Sequence, residues 1–406
     1  MDKKFYCNLK WDMAGINLSD QSIAQCCRTD WLGYDLDAAK QDVISIFNAK
    51  HLIKDRHDIL NGTVPASCKN CVNYEAQGIQ IQNYLLDSRE TIVHNNVIKP
   101  TLPPRLDFVL HNFCNLTCVY CGPIFSSSWT KDINEHGNYQ IKTISVKDLV
   151  RNKIPLSDYE NSSSFNVLRN IIAHPDFHTV KQITLLGGEP MINPYLIDIV
   201  KGILEHSSTV KLWITTGLGI PDKTFISTIE KLKNIDTNNQ IGINVSAETT
   251  GKTFEFIRYG ITWDEFQRRF KYLIDNFTVD RMSIMTVLFI LGIFDYKNFL
   301  LYIKDLGFDT KKIQFGFLED PLCLSLLTVD RSITYNSIQD LIDSDLISDD
   351  LRNTLLSTIK TQSADAELNA QFSIYIQEFA KRRNLDINVL PHPLSNLVTG
   401  NNYDPQ

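Results

Sequence analysis

Between residues 105 and 320 the chain alternates strand-like and helix-like runs six times, and this constrains its fold more than any other feature. The strand-like runs are "RLDFVLHN", "VKQITLLG", "VKLWITT", "QIGINVSAE", "RMSIMTVLFI" and "KKIQFGFL". Helical patterns such as "NPYLIDIVKGILEHS", "DKTFISTIEKLKNI", "WDEFQRRFKYLIDNF" and "YKNFLLYIKDLG" separate them. Strands rich in β-branched residues and apolar on both faces are buried on both faces. Alternation with helices then implies an α/β architecture, a parallel sheet covered by helices and closed or partly closed.

The flanks read differently. Upstream, "NLSD" between "WDMAGI" and "QSIAQCC" suggests a hairpin tip, and residues 37–62 carry helical periodicity ending in Asn-Gly. The proline cluster "KPTLPP" (99–104) resists regular structure and marks a boundary. Residues 124–180 are too long for an ordinary crossover and hold an insertion, with "ENSSSFN" as a surface loop. From about residue 322 the patterns are helical, and "TGNNYDPQ" reads as a frayed tail. The expected division is a small α+β module at 1–104, a partial (β/α)6 TIM-type barrel at 105–320 and a helical extension at 321–406.

Charge narrows the function classes. With a formal charge of −7 and a pI near 5.7, the chain shows no basic stripe for a phosphate backbone, which weighs against long nucleic acids. The start lacks a secretory signal's apolar run, and no apolar segment reaches the ~18 residues needed to span a bilayer. The expectation is therefore a cytoplasmic protein without membrane contact. In a reducing compartment clustered cysteines point to metal binding or catalysis. Of nine cysteines, only Cys323 stands apart, in the apolar context of core packing. The others are Cys7, the pair Cys26 and Cys27, the pair Cys68 and Cys71, and a triad in "HNFCNLTCVYCGP".

Cys114, Cys118 and Cys121 stand at i, i+4 and i+7, just after the first strand of the alternating region. Loops at the C-terminal ends of barrel strands carry the chemistry of such folds. Four thiolates would close a zinc site or fully ligate a cubane cluster; three leave a coordination position open. Half of a zinc knuckle, completed from elsewhere, remains the alternative on spacing alone. One β/α unit later, "ITLLGGEPMINP" ends a strand in Gly187, Gly188, Glu189 and Pro190. Glycines allow close backbone approach, and a carboxylate accepts from an ammonium.

The combination of "CNLTCVYC" and "GGEP" resembles the radical SAM superfamily. The resemblance implies that Cys114, Cys118 and Cys121 hold a [4Fe–4S] cluster whose free iron binds S-adenosylmethionine. One-electron reduction then yields a 5′-deoxyadenosyl radical that abstracts a substrate hydrogen. Glu189 and its glycines would meet the SAM ammonium, and the backbone of Tyr120 would lie near the adenine. "INVSAETTGKTFEFIRYG" resembles the family's fourth strand, which makes Ser246 and Glu248 candidates for the ribose hydroxyls and Arg258 for the SAM carboxylate. The bland readings are an N-cap for Ser246 and a surface ion pair for Arg258. Thr215 and Thr216 in "TTGLG" stand where relatives carry Thr-Asn; Thr215 is the candidate there. Ser126 to Ser128 and Trp129 begin the next helix, either capping it or lining a substrate pocket.

"CKNCVNYEAQG", preceded by a helix, Asn-Gly and Pro, resembles a subgroup in which a twitch, or truncated SPASM-like, module precedes the barrel. That resemblance implies an auxiliary [4Fe–4S] cluster on Cys7, Cys26, Cys68 and Cys71. Neighbours on a strand point to opposite faces, so one of Cys26 and Cys27 should ligate and the other should not; analogy with the subgroup's single cysteine after the hairpin makes Cys26 the candidate. The expected function is hydrogen abstraction from a peptide or small-molecule substrate, supplied with electrons by a flavodoxin or ferredoxin. The alternative from another class is a non-enzymatic zinc-binding interaction protein using the same cysteines.

Overall fold

The computed structural model describes residues 7–80, 101–141 and 162–399. Residues 142–161, within the expected insertion, most of the expected polar tail, and the first two residues of the proline cluster lie outside them.

All six expected strands are present. They are β4 (Arg105–Val109), β5 (Gln182–Leu186), β6 (Lys211–Thr216), β7 (Ile241–Ser246), β8 (Met282–Leu288) and β9 (Gln314–Phe317). Each pairs in parallel with the next. Parallel neighbours need crossovers, and the helices Leu196–His206, Asp222–Ile235, Trp263–Asn276 and Tyr296–Asp305 supply them. In the third, Phe266, Arg269, Phe270 and Leu273 are buried, the i, i+3, i+4, i+7 stripe of a helix laid on a sheet. Thr262 and Glu265 close its N-terminus with a reciprocal capping box. Each large apolar side chain so covered contributes roughly 1.5–3 kcal/mol.

The N-terminal hairpin forms as expected, with β1 (Met13–Asn17) antiparallel to β2 (Ser22–Ala24). A short β3 (Leu32–Gly33) follows β2. The sequence did not announce that β1 also runs parallel to β4, in register from Met13–Arg105 to Asn17–Val109. The result is one nine-stranded sheet, β3-β2-β1-β4-β5-β6-β7-β8-β9, which runs straight through the proline boundary. β1 is buried along its whole length because it has a partner on each side. Parallel β4–β9 with their helices agree with a partial barrel, and the hairpin extends the sheet from its first strand.

Two expectations are corrected in detail. The helical run at 37–62 is broken into Leu36–Gln41, a 3-10 turn Val43–Asn48 and Lys50–Leu60. The break is Asp42, extended at φ −143° and ψ 107°, whose side chain accepts from Ile44 N–H and restarts the chain as a cap. The Cys26-Cys27 pair lies in the turn after β2, beyond the strand, so strand alternation does not govern it. The C-terminal extension is helical as expected: Arg331–Ile342, Asp349–Thr361, Ala366–Arg383 and His392–Thr399. Asn384, left-handed at φ 51°, stops the third of these. Cys323 packs in an apolar cluster with Leu324 and Phe372. Among the described residues no helix is long and apolar enough to cross a membrane.

Candidate functional site

A cavity of about 920 Å³ opens where β4 to β9 end. Cys114, Cys118 and Cys121 line one side, together with Tyr120, Gly187, Gly188 and Glu189. Thr215, Ser246 and Arg258 line it from the ends of β6 and β7 and the segment beyond. Met285, Gln314 and Phe317 add β8 and β9, so the sheet curls round the space. The N-terminal module supplies the remaining wall through Cys27, Arg28, Trp31 and Asn70. Nothing in the sequence pattern marks these four as cavity residues, because the parallel β1–β4 pairing alone carries them there.

The cysteine loop is held by its own neighbours. Thr117 and Val119 N–H groups donate to the carbonyls of Tyr259 (2.9 Å) and Ile257 (2.8 Å). Ser126, fully buried, accepts from Trp129 N–H as an N-cap and donates to the Leu116 carbonyl at 2.7 Å. Ser128 donates to the Cys114 carbonyl at 2.8 Å, Ser127 accepts from Cys114 N–H at 3.2 Å, and Trp129 Nε1 donates to the Cys118 carbonyl at 3.0 Å. The alternatives left open by the sequence thus resolve into helix capping and loop bracing. The Gly187-Gly188 turn serves the same loop. Both are left-handed (φ 91° and 52°), and a Cβ on Gly188 would stand 2.1 Å from the Phe113 carbonyl oxygen. Their close approach is to the cysteine loop's backbone, and Glu189 N–H donates to that carbonyl at 2.5 Å.

Glu189 is buried, with Thr216 Oγ1 (2.9 Å) and Gly217 N–H (3.0 Å) donating to one oxygen and Met191 N–H (3.2 Å) to the other. Pro190 begins the 3-10 turn that Glu189 caps. Burial pushes the carboxyl up to about 7, against these three hydrogen bonds. Thr216, not Thr215, touches the carboxylate; Thr215 accepts from Asn244 Nδ2 at 3.4 Å.

Glu248 and Arg258 meet each other. Arg258 Nη2 donates to Glu248 Oε2 at 2.6 Å, and Tyr120 Oη donates to Oε1 at 3.1 Å. Glu248 is wholly buried and is not among the cavity-lining residues, whereas Ser246 and Arg258 are. Burial would lower the guanidinium's proton affinity, but the Glu248 carboxylate, with Tyr120 and Cys118, holds it above the usual range. Arg258 Nε is buried without a hydrogen-bond partner among the described residues.

The donor set suits a cationic iron–sulfur group. Burial pushes Cys118 up to about 12, against the pull of Arg258, and raises Cys114 with help from Cys118 and Glu189. Thiols so disposed need a local positive charge to ionise, which a bound metal centre provides. Leu116 N–H already points at Cys114 Sγ, 3.4 Å away. Among the described residues no three His, Cys, Asp or Glu side chains are gathered tightly enough for a single metal ion. In the module Cys7, Cys26, Cys68 and Cys71 are all buried, while Cys27 is exposed and turned to the cavity. A hydrogen bond with Cys27, then burial, pushes the Cys26 thiol up, and burial pushes Cys68 up, with Cys7 near enough to add to both. Lys10 is buried beside them, bound to Asp55 (2.7 Å) and Ser67 (3.1 Å).

Residues 108–300 match the Radical SAM superfamily. No curated protein matches. Among solved structures, native anSMEcpe with bound AdoMet is similar at 16% identity over 59% of each chain, with a TM-score of 0.38. Streptococcus suis SuiB bound to S-adenosylmethionine is similar at 14% identity, over 84% of this chain and 69% of that one, with a TM-score of 0.38. SuiB bound to precursor peptide SuiA covers 72% of this chain and 53% of that one, at 14% identity and a TM-score of 0.38. The chain thus spans 59% of the length of anSMEcpe and 53% of SuiB as solved with its peptide. The match covers the segment that carries the three cysteines, Glu189 and Arg258, and leaves out β9 and the N-terminal residues that complete the cavity.

Proposed function

We propose that the protein is a radical SAM enzyme acting on a peptide segment or a small molecule held in the cavity between the barrel and the N-terminal module. The observation that carries this reading is that Cys114, Cys118, Cys121 and Glu189 line one cavity, with the cysteines on a single braced loop. When bound, a [4Fe–4S] cluster with S-adenosylmethionine would supply a 5′-deoxyadenosyl radical for hydrogen abstraction. The chain's part is to hold and exclude. The three cysteines would ligate; Glu189, its carboxylate fixed by Thr216 and Gly217, would accept an ammonium. Arg258, which lines the cavity while its Nη2 is paired with Glu248, would meet a carboxylate. Ser246 offers a hydroxyl, and Glu248 acts through Arg258 and Tyr120 rather than on ligand.

The module's four buried cysteines support a second, fully ligated cluster that relays electrons, with Cys26 inward and Cys27 outward. A flavodoxin or ferredoxin would deliver the electron.

The test is anaerobic reconstitution of the full chain with iron and sulfide. A brown protein that forms 5′-deoxyadenosine from S-adenosylmethionine on dithionite reduction is expected, and replacement of Cys114, Cys118 and Cys121 by Ala should abolish the product. A colourless protein that takes up only zinc would instead establish the zinc-binding interaction protein.

A further inference from the structure

The helix Ala366–Arg383 lies beyond the last barrel strand, yet two of its polar side chains end on the cysteine loop. Tyr375 Oη donates to the Val119 carbonyl at 2.6 Å. Arg383 Nε donates to Thr117 Oγ1 at 2.9 Å, and Nη1 donates to Tyr139 Oη at 2.9 Å. Arg383 Nη2 faces Asp132 at 3.3 Å, and the guanidinium carbon stands 4.7 Å from the Trp129 ring centre. Trp129 in turn donates to the Cys118 carbonyl. Tyr375 packs against Tyr139, ring centres 4.9 Å apart. Thr117, Cys118 and Val119 form the middle of the span between the first and last cysteine, and they are held from outside by Arg383, Trp129 and Tyr375 respectively.

A purely apolar helix face would pack against this loop without burying a hydroxyl and a guanidinium. Burying them costs desolvation, which is recovered only in the geometry that satisfies their bonds. Polar groups of this kind therefore specify a position as well as contributing contact. The loop's other side is already pinned to the Ile257 and Tyr259 carbonyls. With Tyr375 in place, both the N–H and the carbonyl of Val119 are fixed.

We propose that Tyr375 and Arg383 are positioning residues for the cysteine loop, so that the C-terminal helix sets how Cys118 and Cys121 present their sulfurs to the cavity; their relevance to catalysis rests on the function proposed above. The test begins with iron-free full-length protein, by hydrogen exchange at the amides of residues 117–121. Tyr375→Phe keeps the ring and removes only the hydroxyl, and Ser373→Ala removes a bond from the same helix to the Val398 carbonyl. Losing one buried hydrogen bond should speed exchange in the loop by about tenfold in Tyr375→Phe and leave it unchanged in Ser373→Ala. After reconstitution, the reduced cluster's electron paramagnetic resonance line should broaden in Tyr375→Phe alone. If Tyr375→Phe does not fold, Arg383→Lys, too short-forked to reach Thr117 and Tyr139 together, is read the same way. Unaltered loop exchange, or equal acceleration in Ser373→Ala, would overturn the proposal. Accelerated exchange in a protein that never cleaves S-adenosylmethionine would overturn the enzymatic reading and leave this one standing.

Discussion

Arg258 and Glu248 form an ion pair of 2.6 Å in which both side chains are sealed from solvent. Removing one member strands the other charge, which typically costs about 3–5 kcal/mol, whereas removing both costs much less. Arg258→Met should therefore destabilise the iron-free protein strongly, and Glu248→Gln combined with Arg258→Met should recover part of the loss. Urea unfolding of the full chain measures both. A single variant as stable as the double would show that the pair is not coupled.

Gly188 has no room for a methyl group. A Cβ there meets the Phe113 carbonyl oxygen at 2.1 Å, and the left-handed backbone adds strain for any L side chain. Gly188→Ala should cost roughly 1–3 kcal/mol and displace the loop that begins at Phe113. Circular dichroism melts and iron content after reconstitution report the two effects. Gly202→Ala, at a position where nothing crowds the added carbon, is the control.

The pH dependence at Glu189 follows from burial. Its native carboxyl is raised from 4.5 to about 7, so between those values the folded protein binds more protons than the unfolded chain. Stability then falls as pH rises through this window. Glu189→Gln lacks the titration, so its stability relative to the parent should improve from pH 5 to pH 8. Paired denaturation curves at the two pH values test the sign, and a constant difference would refute it.

Arg28 links the two ends of the sheet. From the turn between β2 and β3 it pairs with Glu319, and its Nη2 donates to the Phe317 carbonyl at 3.1 Å, at the end of β9. The side chains are only 12% and 20% exposed, so Arg28→Ala should cost about 1–3 kcal/mol, more than an exposed ion pair would. It should also loosen the cavity wall and speed alkylation of the neighbouring Cys27. Mass spectrometry of the iron-free protein after a timed iodoacetamide pulse reads that rate. An unchanged rate would mean that the contact does not control access.

Much of the framework was legible before any coordinates. The six strands are apolar runs whose character depends only on being covered on both faces, a local property that survives in the sequence. The helix at Trp263–Asn276 was equally plain, because its apolar residues repeat at helical spacing within a few residues of one another. The helix expected at 37–62 failed for a local reason that periodicity does not weigh: Asp42 offered its neighbour's N–H a better partner than the helix did. The cysteine triad and the Gly-Gly-Glu-Pro turn were visible because their chemistry requires fixed residue types at short spacing.

What only the tertiary structure decided was which distant groups would meet. β1 pairs with β4 across some ninety residues, and nothing local to either strand names the other. That pairing carries Cys27, Arg28 and Trp31 into the cavity wall. It is likewise the fold, with no local pattern involved, that pairs Glu248 with Arg258, puts Thr216 rather than Thr215 on Glu189, and brings Tyr375 to Val119. Residue types and short spacings determine what chemistry a segment can offer. Long-range packing, in which each buried polar group must find a partner, determines which of those offers are taken up.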